Sequence, residues 1–197
     1  MTTSLSRRDS LALFASSAMF VACQREPLPA LGKVGAFKLV DHESRPTTAE
    51  TLRGRVWVAA FMFTRCPTVC PALTRKMKDL QRAAQAEEVP LVLVSFSVDA
   101  EHDTPEVLGR YAREQGVSLN NWFFLTGDSH TIKQLSVRDF KLALEGKPDQ
   151  SSQHYGMVHG SRLVLVDPAL QIRGYYDTSS DKEALNKLLD DAKTLVA

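Results

Sequence analysis

The apolar run Val56-Trp57-Val58-Ala59-Ala60-Phe61-Met62-Phe63 passes straight into Thr64-Arg65-Cys66-Pro67-Thr68-Val69-Cys70-Pro71, and no other stretch constrains this chain as strongly. An unbroken apolar run of that length reads as a strand buried on both faces. Cysteines four positions apart lie on one face of a helical turn, close enough for both sulfurs to hold one metal ion or to close on each other as a disulfide. Pro71 suits a first helical position, because its missing N–H would have no partner there. The pair is therefore expected at a helix start, where the dipole lowers a thiol pKa and favours the thiolate. Thiolate serves both chemistries, so metal binding and disulfide exchange stay open at this point.

The rest of the chain alternates strand and helix signals. Phe37-Lys38-Leu39-Val40 and the polar Asp41 to Thr47 predict an N-terminal hairpin. After the cysteines, Leu73, Met77, Leu80 and Ala84 recur at helical spacing, with Lys76, Lys78, Asp79 and Arg82 on the solvated side. Leu91 to Val98 is a second buried strand. Asp103-Thr104-Pro105-Glu106 then offers a capping residue followed by proline at the first helical position. Val107, Leu108, Tyr111 and Ala112 give that helix its buried face, and Trp122-Phe123-Phe124-Leu125 completes a βαβ unit with parallel strands.

Ser129 to Leu135 reads as a short helix, Asp139 to Ala143 as a strand or turn, and Gly146 to Gln153 as a loop. A hairpin follows, Arg162 to Val166 and Ile172 to Tyr176 about a turn at Asp167-Pro168. Ser180 with Glu183 makes a capping box for a closing helix striped by Leu185, Leu188, Leu189, Ala192 and Leu195. This order predicts an α/β protein with a thioredoxin-like fold: a central mixed sheet flanked by helices. In that fold the loop before the final hairpin faces the cysteines, and here it holds His154-Tyr155-Gly156-Met157-Val158-His159.

The first residues carry different information. Arg7-Arg8 leads into the apolar run Leu11 to Ala22 and then Cys23. That run is shorter than the roughly 20 residues a spanning helix needs, but it suits the h-region of a secretory signal. The paired arginines resemble a twin-arginine export signal. Phe20-Val21-Ala22-Cys23 resembles a bacterial lipoprotein cleavage box, which implies lipidation at Cys23. Residues 1–23 are thus expected to be a signal peptide with a lipoprotein box, 24–35 a tether, and 36–197 the folded domain. The expected location is the periplasmic side of a bacterial membrane. With Cys23 so assigned, Cys66 and Cys70 are the only cysteines left among the chain's 3. A net charge of +1, without a long basic block, gives no sign of nucleic-acid binding.

Together, Phe63 to Pro71, Ser97-Val98-Asp99 with Asp103 to Leu108, Trp122 to Gly127, His159 ahead of Pro168, and Gly174-Tyr175-Tyr176 resemble the SCO/SenC family of copper-binding thioredoxin-fold proteins. The likeness covers about Phe37 to Leu189. It implies ligation of copper, as Cu(I) or Cu(II), by Cys66, Cys70 and His159. Soft sulfur suits Cu(I), and the added imidazole accommodates Cu(II). It also implies delivery of copper to, or maintenance of reduced thiols in, the binuclear copper site of cytochrome c oxidase. The implied partners are the copper-site subunit or another copper acceptor, a thiol reductant, and the membrane through the lipid anchor. Many family members carry an acidic residue just before the histidine, where this chain has Val158.

Two other chemistries compete. In a thiol-disulfide oxidoreductase, Cys66 would attack and Cys70 resolve, although thioredoxins place two residues between their cysteines and this chain places three. A peroxidase would need its reactive cysteine one residue further from Thr64. A zinc site would want a fourth ligand.

Overall fold

A computed structural model describes residues 26–67, 69–142, 162–178 and 182–196. The expected capping box at Ser180 lies outside them. The elements are β1 (Gly32–Lys33), β2 (Lys38–Asp41), β3 (Pro46–Thr48), α1 (Ala49–Leu52), β4 (Val56–Met62), α2 (Val69–Ala86), β5 (Leu91–Ser97) and α3 (Pro105–Glu114), then β6 (Trp122–Thr126), α4 (Ser129–Gln134), β7 (Arg162–Val166), β8 (Gln171–Asp177) and α5 (Lys182–Val196). They form one mixed sheet in the order β1-β8-β7-β4-β5-β6-β2-β3. β4, β5 and β6 run parallel, and β7 lies antiparallel to β4.

Strand β4 shows why the apolar run had to be central. All its residues are buried, and alternate side chains enter opposite cores. Val56, Val58, Ala60 and Met62 face a layer built from α2, α3 and α5, with Leu73, Met77, Leu80, Leu108, Leu185 and Leu188. Trp57, Ala59 and Phe61 face an aromatic layer with Phe96 and Phe140. The predicted stripes on α2 and α5 meet the first of these layers, and each strand and hairpin expected over the described residues forms.

Three local expectations need correction. The sheet begins before Ala36: Leu31 N–H bonds the Ile172 carbonyl at 2.8 Å, and Gly32 and Lys33 pair with β8. Val34 is buried, and Arg173 Nη1 holds the Leu28 carbonyl at 2.7 Å. Proline and glycine made this stretch look like tether, but the β8 edge offers its backbone groups partners. Second, α4 runs on into a π-helical turn over Leu135–Asp139. The chain then turns through Lys141 at φ 51°, so of the strand or turn expected from Asp139 it is the turn that forms over the described residues. Third, α2 starts at Val69, so Pro71 is its third residue and Cys66 precedes it. The lost N–H is still one of the unpartnered donors of the first turn.

The Gly-Tyr-Tyr triplet has a packing reason. The Tyr176 ring lies so close over Gly174 that a Cβ there would collide with it. The Tyr176 hydroxyl donates to Asp191 Oδ2 at 2.6 Å, tying β8 to α5.

Candidate metal centre

Cys66 and Cys70 sit at the C-terminal end of β4, where the strand turns into α2. Both are buried, at 3% and 6% exposure, and the pair stands in its dithiol form. Cys66 N–H donates to the Phe63 carbonyl at 3.3 Å, closing a turn that folds the chain back after the strand. Cys66 Sγ in turn accepts the N–H of Cys70 at 3.4 Å. One sulfur therefore satisfies an N–H of the first helical turn, and this contact brings the two side chains together.

A helix start by itself lowers a nearby thiol's pKa and favours the thiolate. Burial pushes the Cys70 thiol up, to about 12, and the negative charges that Cys66 and Asp103 would carry push the same way. A hydrogen bond involving the Phe63 backbone opposes the shift without overcoming it. The correction follows from depth: the helix end acts within its first turn, whereas desolvation acts on the whole buried charge. Cys70 therefore keeps its proton in the metal-free protein, and a soft cation binding there must displace it.

The loop bearing Cys66 is fixed by a side chain that in the sequence stands only as part of a capping segment. Thr104 caps α3 and Pro105 follows it. Asp103, fully buried, turns inward instead. Its carboxylate accepts the Thr64 N–H at 3.0 Å, the Thr64 hydroxyl at 2.5 Å and the Ser97 hydroxyl at 2.5 Å. Asp99 accepts from Arg65 Nη2 at 2.7 Å, and Val98 N–H bonds the Met62 carbonyl at 2.9 Å. Behind the pair, the Thr74 and Tyr111 hydroxyls share a hydrogen bond of 2.8 Å. Burial, together with the charges of Cys70, Cys66 and Asp103, raises the Tyr111 hydroxyl, so it stays neutral. The spacing of Asp103 from a strand end before Thr-Pro was the one available signal, because a carboxylate so placed must find donors if it is buried.

Two adjacent soft sulfurs in a largely dehydrated site fit Cu(I). Among the described residues, no group of three or more His, Cys, Asp or Glu side chains gathers as a metal cage. His159 lies outside the described residues, as do Cys23 and Val158.

Known proteins resemble this chain in sequence and in fold. The model of the SCO1/SenC family matches residues 26–194. A SCO1 protein homolog of Bacillus subtilis is 38% identical over 137 residues, 69% of each chain. A solved structure of BsSco, described as a member of the Sco family of cytochrome c oxidase assembly proteins with a disulfide switch, superposes with a TM-score of 0.75 at 31% identity. That match covers 87% of this chain and 98% of the other. A SCO1/SenC family lipoprotein from Bacillus anthracis gives 0.77 at 30% identity, over 88% of this chain and 99% of that one. The Bradyrhizobium japonicum ScoI structure, with copper bound, shares the fold at 22% identity and a TM-score of 0.67, over 83% and 99%. With a family match across nearly all the described residues and a relative 38% identical over 69% of each chain, the chain belongs to the SCO1/SenC family.

Proposed function

We propose that this chain is a membrane-tethered copper protein that serves assembly of the binuclear copper site of cytochrome c oxidase. Cys66, Cys70 and His159 hold the copper it carries, and the two cysteines also cycle between dithiol and disulfide. The carrying observation is the buried dithiol, with Cys66 Sγ accepting the N–H of Cys70 at 3.4 Å. Support for His159 comes from chain order: β7 begins at Arg162, three residues later, and β7 pairs with β4, the strand that leads to the cysteines. Lipid attachment at Cys23 would supply the membrane tether, and the lipoprotein relative supports that reading. Among the described residues, no helix is long and apolar enough to cross a membrane. The oxidase role rests on family membership and on the assembly role stated for BsSco. The acceptor is then the copper-site subunit or another copper-accepting protein, and a thiol reductant restores the pair.

A general thiol-disulfide oxidoreductase fits less well. Thioredoxins place two residues between their cysteines, and this chain places three, Pro67, Thr68 and Val69. The test is Cu(I) competition against a chromogenic chelator under anaerobic conditions, with the parent chain beside His159→Ala. One-to-one binding that weakens in the variant supports the assignment. Parent-like affinity in the variant removes His159 from the site, and absence of competition by the parent removes copper.

A further inference from the structure

We propose that Asp103 is the positioning residue of the cysteine pair, acting through Thr64 to hold the β4–α2 loop in the shape that keeps the two sulfurs apposed. This deepens the dithiol reading above and rests on it. The carboxylate lies at no exposure, between the loop before α3 and the end of β4. Most of its bonds serve the cysteine loop: the Thr64 N–H at 3.0 Å and the Thr64 hydroxyl at 2.5 Å. A further bond, from the Ser97 hydroxyl, ties it to the end of β5. The Asp103 N–H donates to the Asp99 carbonyl at 2.8 Å, so the carboxylate stands on a rigid base.

Thr64 is two residues from Cys66, within the Phe63–Cys66 turn. Gripping both its backbone and its side chain fixes the direction in which Cys66 leaves that turn. The pair closes intramolecularly only while both sulfurs hold disulfide-compatible geometry, so loosening the loop lowers their effective concentration toward each other. An aspartate serving only to stabilise the fold would have no reason to act on closure through Thr64.

The test uses the full chain in detergent, metal-free, equilibrated in glutathione redox buffers. In the measured reaction the two thiols and one glutathione disulfide give the intramolecular disulfide and two molecules of glutathione. The two electrons and two protons lost by the pair reduce the glutathione disulfide.

Asp103→Asn is expected to lower the closure constant at least tenfold, which corresponds to about 30 mV less negative potential. Thr64→Val, which removes only the hydroxyl donor, is expected to lower it at least threefold. Thr64→Ser, which keeps that donor, should restore the parent value. The double variant should fall no further than Asp103→Asn alone, because both changes break the same link. A parent-like closure constant in Thr64→Val overturns the proposal, as does an equal fall in Thr64→Val and Thr64→Ser. If Asp103→Asn does not fold, the two threonine variants decide alone. Because no copper is present, failure of the copper reading leaves this result standing, and a null result here leaves the copper reading untouched.

Discussion

The two faces of the central sheet do different work with the same strand. On one face of β4, Trp57 and Phe61 close an aromatic layer in which Phe61 and Phe96 stack at 5.0 Å and Phe140 meets Phe61 edge-on at 5.3 Å. Among the described residues, this face carries little hydrogen bonding at its centre, and the Trp57 indole N–H has no partner. On the other face, Met62 and Phe63 lead to the cysteines, and the apolar layer gives way to a polar rim of Asp103, Thr64 and Ser97. Packing supports both sides, and on the cysteine side directed bonds are added at the end of the strand. The cysteine pair thus sits at the end of a sheet whose two faces are both covered by apolar layers.

Breaking the chemistry should leave the packing intact. Cys66→Ser or Cys70→Ser is expected to weaken Cu(I) binding by at least a thousandfold in chelator competition, since a hydroxyl is a poor ligand for a soft ion. Thermal unfolding of the metal-free chain should move by only a few degrees. The reverse experiment breaks the packing. Phe96→Ala should cost about 3 to 5 kcal/mol in denaturant unfolding, while the folded fraction still binds one copper ion. Copper loss in fully folded Phe96→Ala would show that the faces are coupled.

A pH series sharpens the contrast further. Cys70 is pushed up to about 12 in the folded chain from an ordinary 9.0, so the unfolded chain ionises there first. Its contribution is therefore fully present below pH 9 and lost as pH rises toward 12. The full loss should be on the order of 4 kcal/mol. Cys70→Ala, compared with the parent by urea unfolding at pH 7, 9 and 10.5, should flatten that decline. The disulfide form should flatten it too. An equal alkaline decline in parent and variant would assign the effect to other groups, of which Tyr111 and Tyr176 are raised in the same sense.

Smaller effects follow. His159→Ala should reduce copper affinity by tens of fold and leave disulfide closure in glutathione buffer unchanged. Arg65→Ala removes a 2.7 Å pair to Asp99 from a side chain that is 43% exposed. It should change stability by less than about 1 kcal/mol, because water already screens such a pair.

Much of this is legible in the sequence. The unbroken apolar run predicted a doubly covered strand, the spacing of Leu73, Met77, Leu80 and Ala84 predicted the buried face of α2, and Leu91 to Leu125 predicted a parallel βαβ unit. Each is a local pattern that reports which side of an element meets the core, and local patterns survive folding when the core is large. The cysteines' place at a strand–helix junction was equally plain. His159, in contrast, remains an inference from chain order and family likeness.

What stayed hidden depends on partners distant in sequence. Leu31 joins the sheet because Ile172, far along the chain, offers it a carbonyl, and nothing in a proline- and glycine-marked segment announces that edge. Asp103 looks like part of a helix cap until its carboxylate is seen to bond Thr64, 39 positions away. A helix start favours an ionised thiol, yet depth keeps the Cys70 thiol protonated. By itself, then, the sequence determined the order of elements, their buried faces and the place of the cysteine pair at a strand–helix junction, since periodicity and side-chain chemistry are local properties. Only the tertiary structure decided which carboxylate grips the cysteine loop, where the sheet begins and which way a buried thiol titrates, because burial and hydrogen-bond partnership are properties of the assembled interior.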